Sequence, residues 1–148
     1  MKIAGPRQDN FINAPDPAMA CVLLYGPDRG LVRERALTLA KSIVADPDDP
    51  FRVVEIAAST LKSDPARLLD EAQAMAFGGG RRLLKLRDAG DSISKTLNEY
   101  LKVASVTDAL ILIEAAELGP RSSLRKLCET AKNAASIACY VDDSRSLT

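Results

Sequence analysis

Histidine and tryptophan are both absent from the 148 residues. Without histidine the chain cannot build Ser-His or Cys-His nucleophilic sites, a histidine general base, or most zinc sites. Three tyrosines and three phenylalanines complete the aromatic inventory, too few for a base-stacking nucleic-acid surface. Cysteine is scarce as well. Cys21, Cys128 and Cys139 are odd in number, widely spaced and form no Cys-x-x-Cys pair, so no disulfide framework or metal site is implied. An excess of either charge is missing too. Twenty Lys and Arg balance twenty Asp and Glu, and no overall field draws the chain to nucleic acid or to an anionic membrane. No apolar run approaches the ~18 residues of a membrane span. The opening MKIAGPRQDN has no apolar core of a signal peptide. Free thiols without an export signal fit a reducing, cytoplasmic compartment.

What is present fits one folded domain. Hydrophobic residues make up 47% and charged residues 27%, ordinary values for a globular chain. A domain of this length buries roughly 68–70% of its unfolded surface and needs no disulfide or metal to hold it. Residues 1–19, with Pro6, Asn10, Asn13, Pro15 and Pro17, read as an irregular lead-in with one short helical turn near Asp9–Ile12. From residue 20 strand and helix signals alternate. The run at 21–25 (CVLLY) is a buried strand closed by Gly26-Pro27-Asp28, and 31–44 has helical spacing. A β-rich run at 51–57 follows. Asp64-Pro65 then reads as an N-cap and first helical position, opening a helix to about Met75 that Gly78-Gly79-Gly80 ends.

Five more signals complete the chain. They are strand 82–87, helix 92–103, strand 109–114, helix 121–133 and strand 136–141. Five strands and four helices in alternation, two of the strands apolar throughout, predict an α/β fold. Its centre would be a parallel sheet of about five strands, in three layers with flanking helices. Ligands of such sheets bind at the carboxyl ends of the strands. Residues 20–143 make up this domain, and 144–148 begin a linker.

The turn after the first strand is where a phosphate loop would lie. A working loop reads GxxxxGK[ST]: backbone N–H groups cradle the phosphates, Lys reaches the β/γ-phosphates, and Ser/Thr holds Mg²⁺. Here the segment is Gly26-Pro27-Asp28-Arg29-Gly30-Leu31-Val32-Arg33. It is one residue short, with Leu31 and Val32 at the Lys and Ser/Thr positions. An apolar pair replaces neither a cation nor a metal ligand, so Gly26, Arg29, Gly30 and Arg33 form a degenerate loop. ATP is not expected there, and no cofactor or metal is implied; Arg29 and Arg33 could attract an anion weakly. LILIE at 110–114 resembles the strand whose acidic end orients Mg²⁺ or water in nucleotide hydrolases. With Glu114 standing alone, a solvated strand end is the simpler expectation.

Taken together, VLLYGPDRGLVRERA (22–36), LLDEAQAMAFGGGRRLLKLRDAG (68–90), ALILIEAAELGPRSSLRKL (109–127) and ACYVDD (138–143) resemble the N-terminal domain of the delta subunit of the bacterial DNA polymerase III clamp loader. The resemblance implies an AAA+ fold, related to P-loop NTPases, without a functional P-loop or catalysis of its own, inside a DNA polymerase holoenzyme. It implies a lid domain after residue 148 and a collar domain beyond. It also implies partners: the beta sliding clamp, whose ring delta opens, the other clamp-loader subunits, and DNA indirectly, with no membrane. The family's clamp-binding element lies at the end of the second helix, where Ser-Leu-Phe precedes small residues and a basic pair.

This chain has Met75-Ala76-Phe77-Gly78 there, followed by Gly79-Gly80-Arg81-Arg82. Phe77 takes the Leu position and Gly78 the Phe position, leaving Phe77, with Met75, to fill the clamp pocket. Read without the resemblance, Met75 and Phe77 either protrude from a mobile tip or cap the core beneath the helix. Arg81, Arg82, Lys85 and Arg87 read as a charged sheet edge that discourages aggregation, with phosphate contacts as the alternative. Arg121, Arg125 and Lys126 read as solvent-facing. Two rival classes remain: a divergent P-loop NTPase or small-molecule kinase, and a receiver-like signalling domain. The second would need an acidic pair that the first strand end lacks.

Overall fold

The computed structural model describes residues 1–3, 5–74 and 80–140. Strands β1 (Cys21–Tyr25), β2 (Val53–Ala57), β3 (Leu83–Ala89), β4 (Leu110–Ala115) and β5 (Ala134–Ala138) form one parallel sheet in the order β2-β3-β4-β1-β5. Every residue of β1 and β4 is buried, because each has a strand on both sides and helices over both faces.

The period of two along each strand divides the core. Cys21, Leu23, Tyr25, Leu84, Leu86, Ile111 and Ile113 face one layer, with α3 (Ala58–Ser63), α4 (Ala66–Gln73), α5 (Ser94–Leu101) and α6 (Ser123–Thr130) contributing Leu61, Leu68, Leu97 and Leu124. Val22, Leu24, Leu83, Leu110, Leu112 and Ile137 face α1 (Gly5–Asn13) and α2 (Arg29–Ile43), which supply Ile12, Val32, Ala36 and Leu39. Each fully buried leucine or isoleucine contributes roughly 1.5–3 kcal/mol of transfer free energy, so the two faces hold the sheet from both sides.

The α/β three-layer architecture stands, and the differences lie in element limits. The segment ahead of β1 is no irregular lead-in. It folds as α1 over Gly5–Asn13, packs Ile12 inward, and bridges Lys2 to Ser136 beside β5. The expected helix from Pro65 is α4, and a separate helix, α3, precedes it over Ala58–Ser63, where none was expected. Asp64 closes α3 with its N–H on the Thr60 carbonyl, and Pro65 carries no side-chain cap for α4. The helix after β3 starts with a 3₁₀ turn at Asp91–Ile93. Asp91 accepts from the Ser122 hydroxyl (2.5 Å) and the Leu124 N–H (3.2 Å), which holds its carboxyl below the usual carboxylate range and ties this turn to the start of α6. α6 is shorter than expected, and β5 begins two residues earlier because Ala134 pairs with Cys21. β3 is not an edge strand: it lies between β2 and β4.

Candidate functional site

A parallel sheet has two unlike ends, and the candidate residues divide between them. At the carboxyl end a cleft of about 460 Å³ opens between the start of α2 and the ends of β2, β3 and β4. Three cations line it, Arg29, Arg33 and Arg87, and three carboxylates, Glu55, Asp88 and Glu114. The period of two sends Arg87 and Glu114 to the α2 side of the sheet, the side of Leu83, Leu110 and Leu112. Arg87 Nε stands 2.9 Å from Glu55 Oε1 and 3.7 Å from Glu114 Oε2. Neither contact has hydrogen-bond alignment at Nε, so the attraction is Coulombic. Glu114 is 8% exposed and therefore no solvated strand end: Arg87, from the neighbouring strand, compensates its burial. Asp88 adopts a left-handed conformation (φ 54°), which Asp tolerates better than most residues, at the irregularity where β3 leaves its register with β4.

The degenerate loop is filled by the chain itself. Asp28 caps α2, its Oδ1 accepting from the Leu31 N–H at 3.2 Å while its carbonyl accepts from Val32 N–H at 3.1 Å. A carboxylate thus sits where a phosphate would need the helix N-terminus. Val32, at the position of a metal-ligating hydroxyl, is buried in the α2-side core. Gly26 serves packing: a Cβ there would overlap the Cys139 carbonyl, because Cys139 N–H bonds the Tyr25 carbonyl at 2.6 Å. Gly30 has only the Asp28 carboxylate as a close neighbour. Arg29 and Arg33 do reach the cleft, but three acids share it with three arginines. The described residues of this loop supply neither the cation nor the metal ligand that ATP and Mg²⁺ need there.

At the amino end of the sheet the chain runs from α4 to β3. Met75, Ala76, Phe77 and Gly78 lie outside the described residues. The described residues on either side are heavily tied. Arg81 donates to the carbonyls of Met19 (2.7 Å), Asp108 (3.0 Å) and Pro17 (3.3 Å), and burial pulls its guanidinium below the ordinary arginine value. Arg82 donates to the Glu71 and Ala74 carbonyls at 2.8 and 3.4 Å. The Asp108 carboxylate accepts from the Tyr100 hydroxyl at 2.9 Å and the Ser105 N–H at 3.0 Å. Burial, and then that bond, push the Tyr100 phenol well above its usual value. Arg125, expected in solvent, instead donates to the Leu118 carbonyl (3.0 Å), pairs with Glu129 (3.2 Å) and sits 5.3 Å from the Tyr25 ring centroid. The spacing of Arg125 and Glu129 (i, i+4) could have signalled that pair; nothing local signals the carbonyl bonds of Arg81 and Arg82, or the pairing of Arg87 with Glu114 across 27 positions.

A sequence model of the family described as DNA polymerase III, delta subunit, matches residues 22–141. The chain belongs to that family. A curated relative, the probable DNA polymerase III subunit delta of Rickettsia prowazekii (strain Madrid E), is 26% identical over 125 residues, 82% of this chain and 35% of the relative. Two solved structures share the fold. The DNA clamp loader delta protein of Bacillus subtilis superposes with a TM-score of 0.70 at 16% identity, over 94% of this chain and 43% of that one. A DNA polymerase III gamma subunit-related protein of Thermotoga maritima gives 0.63 at 15% identity, over 95% and 48%. The delta-family chain is therefore an AAA+-like α/β domain that spans about a third of its curated relative. Among the described residues no helix is long and apolar enough to cross a membrane.

Proposed function

We propose that this delta-family domain binds the ring-shaped beta sliding clamp and helps open it during clamp loading for DNA replication, in the cytoplasm and without hydrolysing ATP. The observation that carries this reading is the family match across residues 22–141. The cleft at the carboxyl end supports the non-catalytic part, since its own carboxylates answer its arginines and Asp28 takes the phosphate position. Clamp binding is assigned to Met75, Ala76, Phe77 and Gly78, with Phe77 the apolar anchor in a pocket of the clamp. One aromatic anchor of this kind is worth ~2 kcal/mol or more. The other clamp-loader subunits are partners of the wider assembly, and DNA is reached through them.

The test is calorimetric titration of the purified sliding clamp of the source organism into the chain. Saturable binding is expected in the parent, with affinity at least tenfold weaker in Phe77→Ala. A folded Phe77→Ala that binds as tightly as the parent contradicts the site. No binding by the parent contradicts the function.

A further inference from the structure

We propose that residues 1–3 and α1 form a removable cover over the outer edge of β5, and that β5, once uncovered, pairs with β5 of a second copy of this chain. The inference is independent of the clamp-binding reading.

A sheet in the order β2-β3-β4-β1-β5 has two end strands, and each presents main-chain groups to whatever comes alongside. β2 carries its own deterrent, Glu55, exposed in mid-strand. Two copies of β2 paired about that residue would set like charges face to face. β5 reads AASIA, with no charge, no proline and a regular register with β1. Yet β5 is the more deeply buried of the two, so something other than its own side chains protects it.

The Asn133 carbonyl accepts from the Ala20 N–H, and the Cys139 N–H donates to the Tyr25 carbonyl, so these residues bond on the β1 side. Residues 134, 136 and 138 therefore turn their main-chain groups outward. Ser136 donates its N–H to the Met1 carbonyl at 2.8 Å and accepts from the Ile3 N–H at 3.0 Å, with Lys2 bridged parallel to it. The Ala138 carbonyl accepts from Gln8 Nε2 at 3.2 Å. Gln8 is buried, and its Oε1 accepts from Arg35 Nη1 at 2.5 Å. Ile3 and Ile12 anchor the cover in the α2-side core.

This cover is the lightest join in the sheet. Among the described residues an isolated bridge, Lys2 with Ser136, ties residues 1–3 to β5, whereas β5 pairs with β1 along its whole length. A lone bridge opens at lower free energy than a full ladder. The uncovered edge suits a copy of itself. In antiparallel pairing about a twofold axis at Ser136, Ala134 meets Ala138 and Ala135 meets Ile137, and no like charges oppose each other. The contact is thus autoinhibitory: the chain occupies the edge through which two copies would join their sheets.

The experiment combines sedimentation with hydrogen exchange of the Ser136 amide, from dilute to concentrated solution, for the parent, Ile3→Pro and Gln8→Glu. A thermal melt of each establishes that it is folded. Ile3→Pro removes the N–H that reaches the Ser136 carbonyl. Gln8→Glu keeps the side-chain size and the bond to Arg35 but sets an acceptor against the Ala138 carbonyl, and it carries the test where Ile3→Pro fails to fold. The parent is expected to stay monomeric, with slow exchange at Ser136 at every concentration. The variants are expected to exchange that amide about tenfold faster when dilute, the weight of one net main-chain hydrogen bond, and to regain parental protection as they dimerise on concentration. Faster exchange in folded variants that stay monomeric throughout overturns the pairing. Parental exchange in both folded variants overturns the cover. A parent that dimerises as readily as the variants overturns the block.

Discussion

The two ends of the sheet use arginine in opposite ways. At the carboxyl end Arg87 is spent on carboxylates: it lies between Glu55 and Glu114, and the cleft carries as many acids as bases. At the amino end Arg81 and Arg82 are spent on main-chain carbonyls, joining segments that neighbour each other only through the fold. The first arrangement neutralises a crevice that, in this architecture, ordinarily holds ligand. The second ties the start of β3 to the end of α4 and to the residues ahead of β1 and β4. The cleft thus answers its own charges from within, whereas the amino-end arginines answer backbone.

The sharpest way to break this contrast is at Gly26. Gly26→Ala drives a Cβ into the Cys139 carbonyl at the junction of β1 and β5. It is expected to destabilise the fold by about 3 kcal/mol, read as a lower urea midpoint. A glycine kept only for phosphate binding would tolerate alanine.

Next comes Arg87→Ala, expected to cost roughly 2 kcal/mol because it strands Glu114, whose side chain is 10% exposed; the 32% exposure of Arg87 keeps the figure below that of a fully buried pair. Arg87→Met with Glu114→Gln should recover most of the loss in the same unfolding assay. A double variant no better than the single would mean that Arg87 acts through packing.

The buried thiols give a pH dependence of similar size. Burial pushes Cys139 up to about 11 from an ordinary 9.0, and raises Cys21 well above 9.0 through its contact with Cys128 and through burial. The folded state then holds protons that the unfolded chain releases. The stability that Cys139 contributes is full below pH 9 and is lost as pH rises through the window from 9 to 11, and Cys21 adds a loss of the same sign above pH 9. Urea midpoints at pH 8 and pH 10.5 should show the fall, and Cys139→Ala should lessen it; an undiminished fall in that variant assigns the effect elsewhere.

The smallest expected effect is that of Asp28→Ala, about 1 kcal/mol for a lost helix cap. Its value lies in a second readout. Removing the carboxylate from the start of α2 should still leave a flat ATP–Mg²⁺ titration, since Leu31 and Val32 supply neither cation nor metal ligand.

Much of the fold was legible from period and composition. LILIE and CVLLY announce strands covered on both faces, and both are central in the sheet. What escaped was set by tertiary pairing. Ala134 and Ala135 have little strand preference and continue a helical pattern, yet pairing with Cys21 and Val22 makes them β5. ASTLKS follows β2 without a turn signal, so no helix was expected there, and Asp64, which looks like a cap opening α4, closes α3 instead. The alternating charges of Lys85 and Arg87 suggested an exposed edge. They lie inside the sheet, where Arg87 faces the carboxyl-end cleft. The degenerate loop was readable from Leu31 and Val32 alone; that Asp28 occupies the phosphate position required the geometry.

The central claim is that the working end is the amino end of the sheet. It is tested most directly by titrating the sliding clamp against two variants side by side, Phe77→Ala at one end and Arg33→Ala in the cleft at the other. The account expects at least a tenfold loss of affinity in Phe77→Ala and parental affinity in Arg33→Ala. Parental affinity in Phe77→Ala together with a loss in Arg33→Ala would place clamp binding at the cleft and contradict it.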